Sequence, residues 1–157
     1  MASSFANDRQ SMTLIFDSFV ASTGSGVPIT ESRKNCQINI NLRIPQGFTF
    51  SIGTLDYRGY VSLPAGVSAE QKSVYYFQGE EAKHSSATTF TGPVNKDYLT
   101  SDTLPLTTFL SECSRVIPVN INAQVRLFGP PSAQAQITTD SIDGKIRHIL
   151  GLSWRRC

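Results

Sequence analysis

The sequence predicts an all-β chain, an antiparallel β-sandwich of jelly-roll type with about 8–10 strands. Three observations carry that expectation. In the stretch 35–50, Ile38, Ile40, Leu42 and Ile44 alternate with Gln37, Asn39, Asn41 and Arg43, the period-2 pattern of a strand with one face buried. Val119–Phe128 repeats the pattern, with Asn120, Asn122, Gln124 and Arg126 on the polar side. Between these stretches, Gly and Pro recur at the short, even spacing of strand-connecting turns. A closed barrel is the alternative architecture.

Taken in order, residues 1–11 are expected to be loosely ordered, although N-D-R-Q can turn Ser3–Ala6 back as a hairpin onto a strand at Met12–Val20. Ala21–Lys34 is polar, broken by Gly24, Gly26 and Pro28, and reads as a loop. Pro45-Gln46-Gly47 makes a turn, because Pro presets one corner and Gly accepts positive φ at the other. Phe48, Phe50 and Ile52 then share one phase and Tyr57, Gly59, Val61 and Leu63 the other, so a bulge is expected near Gly53. Leu63–Gly66 is a turn, Val67–Gln78 a strand closed by Gly79-Glu80-Glu81, and His84–Thr91 a strand paired with it. Gly92–Glu112 is the least legible stretch; Leu104, Leu106, Phe109 and Leu110 suggest a helical turn or a cover over the core. After the strand Val119–Phe128, Ala135–Ile142 reads as a strand, Asp143-Gly144 as a tight hairpin turn, and Lys145–Arg155 as a last strand with Ile146, His148, Leu150, Leu152 and Trp154 on one face.

At 157 residues one domain spanning 1–157 is expected, long enough to bury a core without staples. The formal charge is +2, with no block of like charges, which argues against a dedicated nucleic-acid binder. No apolar run is long enough to span a membrane as a helix, and the opening M-A-S-S-F-A-N-D-R-Q-S-M has neither the basic head nor the apolar block of a secretory signal. Cys36, Cys113 and Cys157 fit no C-x-x-C motif. From spacing, one disulfide with a leftover thiol and three separate buried thiols are equally open.

Several motifs in order (F-D-S-F-V near the start, R-K-N-C-Q-I-N-I-N-L-R-I-P-Q-G-F, D-Y-R-G-Y, Y-Y-F, T-T-D-S-I-D-G-K and the closing W-R-R-C) give the chain a resemblance over nearly its whole length from Met12 on. It resembles the small secreted proteins of fungi and some bacteria grouped as domain of unknown function 4360. The resemblance implies an extracellular, cysteine-bearing β protein with no assigned activity. Members usually begin with a signal peptide and carry one more cysteine upstream, and this chain has neither. By that resemblance Cys36 and Cys157, each at the end of a strand, are the expected disulfide, and Cys113 is left over.

No catalytic signature is present. His148 falls on an apolar strand face, where a hydrogen-bonded core histidine is the simple reading, and His84 reads as exposed. There is no G-x-S-x-G, and neither the Asp140–Gly144 stretch nor the Cys and His spacing makes a metal site. No cofactor is expected. A hydrolase acting on polysaccharide through paired carboxylates such as Asp56 and Glu70 is one alternative, and a structural cell-surface protein another. The preferred expectation is a secreted, non-enzymatic monomer that binds a wall polysaccharide or a partner protein. Its binding residues would be Asn39, Asn41, Arg43, Tyr57, Arg58, Tyr60, Asn120, Asn122 and Arg126, because aromatic faces offer flat apolar area and amides directed hydrogen bonds.

Overall fold

Eleven antiparallel strands follow one another in a computed structural model that describes residues 1–5, 11–41, 52–81, 83–104 and 118–146. They are β1 (Ala2–Phe5), β2 (Ser11–Ile15), β3 (Val20–Thr23), β4 (Arg33–Ile40), β5 (Ile52–Leu63), β6 (Ser68–Phe77), β7 (Lys83–Thr91), β8 (Val94–Thr103), β9 (Val119–Phe128), β10 (Ala135–Thr138) and β11 (Ser141–Ile146). Helical structure among the described residues is a 3-10 turn at Ile29–Ser32, and no described helix is long and apolar enough to cross a membrane.

The ladders define the winding. Outward from the β6–β7 hairpin, β5 pairs with β8, β4 with β9 and β3 with β10. The chain is thus a long folded hairpin rolled up so that β3-β10-β5-β8 lie in one sheet and β4-β9-β6-β7 in the other, which is the jelly-roll arrangement. β1, β2 and β11 widen the first sheet to seven strands, because β5 is long enough to seat β11 against Ile52–Arg58 and β10 against Val61–Ser62.

Alternation along the strands builds the core between the sheets. Leu55, Tyr57, Val61 and Leu63 of β5 face inward, as do Ala69, Gln71, Ser73, Tyr75 and Phe77 of β6 and Val119, Ile121, Ala123, Val125 and Leu127 of β9, all buried. Ile38 and Ile40 are buried and Cys36, in the same phase, packs against them, as the sequence pattern predicts. The phase change in β5 is a bulge at Gly53: Lys145 opposes Thr54 and Ile146 opposes Ile52, so Gly53 has no counterpart. The turn Pro64–Val67 closes on a Val67 N–H···O=C Pro64 bond with Gly66 at φ +81°.

Ala2–Phe5 pairs with β2 in the hairpin sense. Five expectations are corrected. Met12–Val20 is two strands separated at Phe16–Phe19, and Ala135–Ile142 is likewise split at Thr139–Asp140. The two breaks face each other through Phe16 N–H to the Asp140 carbonyl (2.9 Å) and Thr139 N–H to the Phe19 carbonyl (3.0 Å), a paired jog that local sequence does not reveal. Ala21–Thr23 belongs to β3, and Ala21 is fully buried. Asp143-Gly144 is not a turn; it lies inside β11, opposite Asp56 and Leu55 on one side and Thr13 and Met12 on the other. Strands on both flanks take up its backbone, which overrides the local turn preference. Val94–Thr103 is a full strand, β8. It escapes detection because its inward row, Tyr98, Thr100 and Asp102, is polar rather than apolar. Leu104 covers the core and is buried; Leu106, Phe109, Leu110, His148, Trp154, Cys113 and Cys157 lie outside the described residues.

Candidate functional site

Both outer faces of the sandwich carry polar side chains set by strand phase. On the seven-stranded sheet, register places Ser62 of β5 beside Gln136 of β10, and Gln136 beside Ser22 of β3. This hydroxyl–amide–hydroxyl row is roughly 10 Å long, two strand spacings. Tyr60 walls it on one side and Val27, Thr23 and Gln134 on the other, around a groove of ≈ 470 Å³. The Tyr60 hydroxyl donates to Asn95 Oδ1 on β8, which tethers the ring at its tip, and the Tyr60 backbone N–H donates to Thr138 Oγ1 at 2.9 Å, which holds the strand at its base. Among the described residues, no Lys, Arg, Asp or Glu lines the groove.

On the four-stranded sheet, the two amide rows predicted from sequence are brought into direct register. Gln37 opposes Asn122, Asn39 opposes Asn120 and Asn35 opposes Gln124. Asn122 Nδ2 donates to Gln37 Oε1 (2.9 Å), Asn39 Nδ2 to Asn120 Oδ1 (2.9 Å), and Gln37 Nε2 to the Tyr76 hydroxyl of β6 (3.1 Å). The amides therefore fix one another's rotamers across three strands.

A third polar set is internal. Tyr57 and Tyr75 hydroxyls meet at 2.6 Å, Tyr75 donates to Asp102 Oδ2 (2.5 Å), and Ser86 donates to Asp102 Oδ1 (2.6 Å). Because Tyr75 spends its proton on Asp102, Tyr57 must donate to Tyr75. Gln71 Nε2 donates to Ser73 Oγ (3.0 Å) and its carbonyl accepts from Thr100 (3.2 Å). Asp102 is 5 % exposed and makes no ion pair with a described cation. Among the described residues its carboxyl oxygens accept from the hydroxyls of Tyr75 and Ser86.

Burial pushes the Tyr57 and Tyr75 hydroxyls well above the usual tyrosine range, with the Asp102 charge adding to it, and pushes Tyr98 up to about 12. An acid with a raised folded pKa contributes stability that is fully present below its unfolded value of about 10 and is lost as pH rises through the folded one. The protein is therefore expected to unfold in alkali between about pH 10 and pH 12, with these three tyrosines ionising only as it unfolds. Tyrosinate absorbance followed alongside far-UV circular dichroism checks this. All five tyrosines ionised with the dichroism intact would contradict it.

A second, smaller cavity of ≈ 240 Å³ is lined by Met1, Phe16, Asp17, Phe19, Lys34 and Cys36, among others. Burial raises the Cys36 thiol above its ordinary pKa, which disfavours the reactive thiolate. Cys36 stands as a free thiol, and its expected partner, Cys157, is among the residues not described.

Among known families, residues 1–157 match the family described as a domain of unknown function, DUF4360. The chain belongs to this family. It is 48 % identical over 154 residues to an uncharacterized secreted protein of Arthroderma benhamiae, covering 97 % of this chain and 63 % of that relative's length. The DUF4360 chain is thus that of an extracellular protein, as the resemblance implies. A solved structure similar to it is TmCBM61 in complex with β-1,4-galactotriose, with a TM-score of 0.37 and 11 % identity over 91 % of this chain and 80 % of that one.

The nine residues expected to bind do not form one site in the DUF4360 fold. Asn39, Asn122 and Arg126 share the outer face of the four-stranded sheet, with Asn41 exposed just past β4; Asn120 has the same phase but is buried, which corrects its expected place on the surface. Arg58 and Tyr60 stand on the opposite side of the sandwich, on β5 of the seven-stranded sheet. Tyr57 is a correction: it falls in the inward phase and is 0 % exposed, so it serves the internal network and no surface. Arg43 lies outside the described residues. His84 is half-buried beside Tyr75, ring centroids 6.4 Å apart, rather than exposed. Asp56 and Glu70 occupy the outward phases of β5 and β6, hence opposite outer faces, and cannot act on one glycosidic bond. Ser22, Ser62, Gln134 and Gln136 were not legible as a site, because the strands that bring them together are distant in sequence. The one available signal was that Ser62 shares the phase of Tyr60.

Proposed function

We propose that the protein is an extracellular, non-catalytic binding protein that holds a neutral polysaccharide in the Tyr60 groove of its seven-stranded sheet. The observation that carries this reading is the lining itself. An anchored aromatic ring stands beside a row of hydroxyls and amides, in a concavity whose described lining holds no charged side chain. Sugar rings present apolar C–H faces that pack on an aromatic plane, while their hydroxyls exchange directed hydrogen bonds with amides and Ser side chains. The absence of charge selects against anionic ligands, whose desolvation nothing here would offset. Opposite placement of Asp56 and Glu70 supports binding over hydrolysis by that pair.

The test is retention on a panel of insoluble neutral wall polysaccharides, including β-glucans, galactans, mannans and chitin. Retention by at least one is expected, and Tyr60→Ala is expected to weaken it by about tenfold or more, about 1.4 kcal/mol. No retention across the panel, or retention unchanged in Tyr60→Ala, would count against the reading.

A further inference from the structure

The outer face of the four-stranded sheet holds a second feature, independent of the groove. Arg33 of β4 and Arg126 of β9 are direct cross-strand partners, and both are exposed. Like charges directly opposite in a sheet are destabilising. Neither guanidinium makes an ion pair with a described residue. Glu70 is the other ladder neighbour of Arg126, yet its carboxylate stands beyond ion-pair distance. Each guanidinium is instead held in place by a neutral group: Arg33 Nη2 donates to Gln124 Oε1 at 3.1 Å, and Arg126 lies over the Phe128 ring, 4.7 Å from its centroid. Lys72 adds a third cation in the next register row, beside Gln124. Two oriented guanidinium forks that pair with no described carboxylate at ion-pair distance form a receptor for an anion.

From that end the interlocked amides Gln37, Asn39, Asn120 and Asn122 run along the strands, so that the face from Arg33 to Asn39 is roughly 20 Å long. Asn120 is buried, but the exposed Gln37 and Asn39 and the half-buried Asn122 keep hydrogen-bonding capacity beyond what the row uses, and their rotamers are already fixed, which lowers the ordering cost of binding. We propose that this face binds an acidic polysaccharide, its anionic groups on Arg33 and Arg126 and its hydroxyls along the amide row. Together with the groove, the sandwich would carry a neutral and an acidic polymer on opposite sides. Nucleic acid is the less fitting polyanion: the Tyr76 ring on which a base would stack is already covered by Lys83, 5.1 Å from its centroid.

The experiment is affinity electrophoresis of the full chain in polygalacturonate, in dextran sulfate and in single-stranded DNA, over a salt series. Binding to at least one acidic glycan is expected, weakening as salt rises. Polygalacturonate alone assigns the ligand group as carboxylate and dextran sulfate alone as sulfate. The double variant Arg33→Gln/Arg126→Gln is expected to lose at least tenfold in affinity while its Tm is not lowered, because a repulsion has been removed. Tyr60→Ala is expected to leave this binding unchanged, which separates it from the groove. No acidic glycan bound at low salt, an unchanged affinity in the double variant, a lowered Tm in it, or equal retention by DNA would each overturn the proposal.

Discussion

Replacing Tyr75 with Phe is expected to destabilise the protein by about 2–4 kcal/mol, although it removes a single atom and almost no volume. The Tyr75 hydroxyl is the middle of the internal chain: it accepts from Tyr57 and donates to Asp102 at 2.5 Å. Without it, the buried Tyr57 hydroxyl is left with Ser73 as its partner, and a buried carboxylate with no described cation keeps Ser86 as its described donor. Both consequences have the same sign. The desolvation cost of each group persists in the variant, whereas the bonds that offset it do not. For a chain of this length the loss corresponds to a fall in Tm of roughly 5–15 °C, measurable by thermal melting at neutral pH. Tyr76→Phe is the matched control. Tyr76 is the next residue of the same strand but points outward and is half-exposed, so its effect is expected within about 0.5 kcal/mol. Equal effects from the two substitutions would show that the network does not contribute as the geometry requires.

Gly59→Ala is expected to be the most damaging small substitution in the seven-stranded sheet. Gly59 lies in the inward phase of β5, directly opposite Tyr98 of β8. The Tyr98 ring lies across it and its hydroxyl donates to the Thr138 carbonyl of β10. A Cβ at Gly59 would stand 2.7 Å from that ring and closer still to the Thr138 carbonyl oxygen. Either β10 or Tyr98 must move, and β10 is the strand that carries Gln136 of the groove. A cost of about 3 kcal/mol or more is expected, read as a drop in Tm and in soluble yield. Adding Tyr98→Ala is not expected to restore stability, because the carbonyl remains and the bond to it is lost. Restoration by that second change would assign the clash to the ring alone.

Much of the fold is legible in the sequence wherever one strand face is apolar and the other is not. Val119–Phe128 and the Asn35–Ile40 half of its partner declare their phase residue by residue, and the two amide rows are visible before any pairing is known. The bulge at Gly53 is likewise written in a change of phase. What stays hidden follows from two physical causes. β8 buries Thr100 and Asp102 in place of apolar residues, because Gln71, Tyr75 and Ser86 supply hydrogen bonds there; polar-for-polar burial leaves no hydrophobic period to detect. Asp143-Gly144 has the local chemistry of a turn and is held in a strand by neighbours on both sides.

The sequence by itself determined the all-β class, the outward amide rows and the absence of a recognisable catalytic motif, because each of these depends on residue type and local period. Only the tertiary structure decided that Tyr57 belongs to the interior and Tyr60 to a groove. It alone placed Asp56 and Glu70 on opposite faces, and it alone set Arg33 against Arg126. Those outcomes depend on which strands the jelly-roll winding makes neighbours. Residues as far apart as Ser22 and Gln136 become adjacent only when the long hairpin is rolled closed, and no local pattern encodes that adjacency.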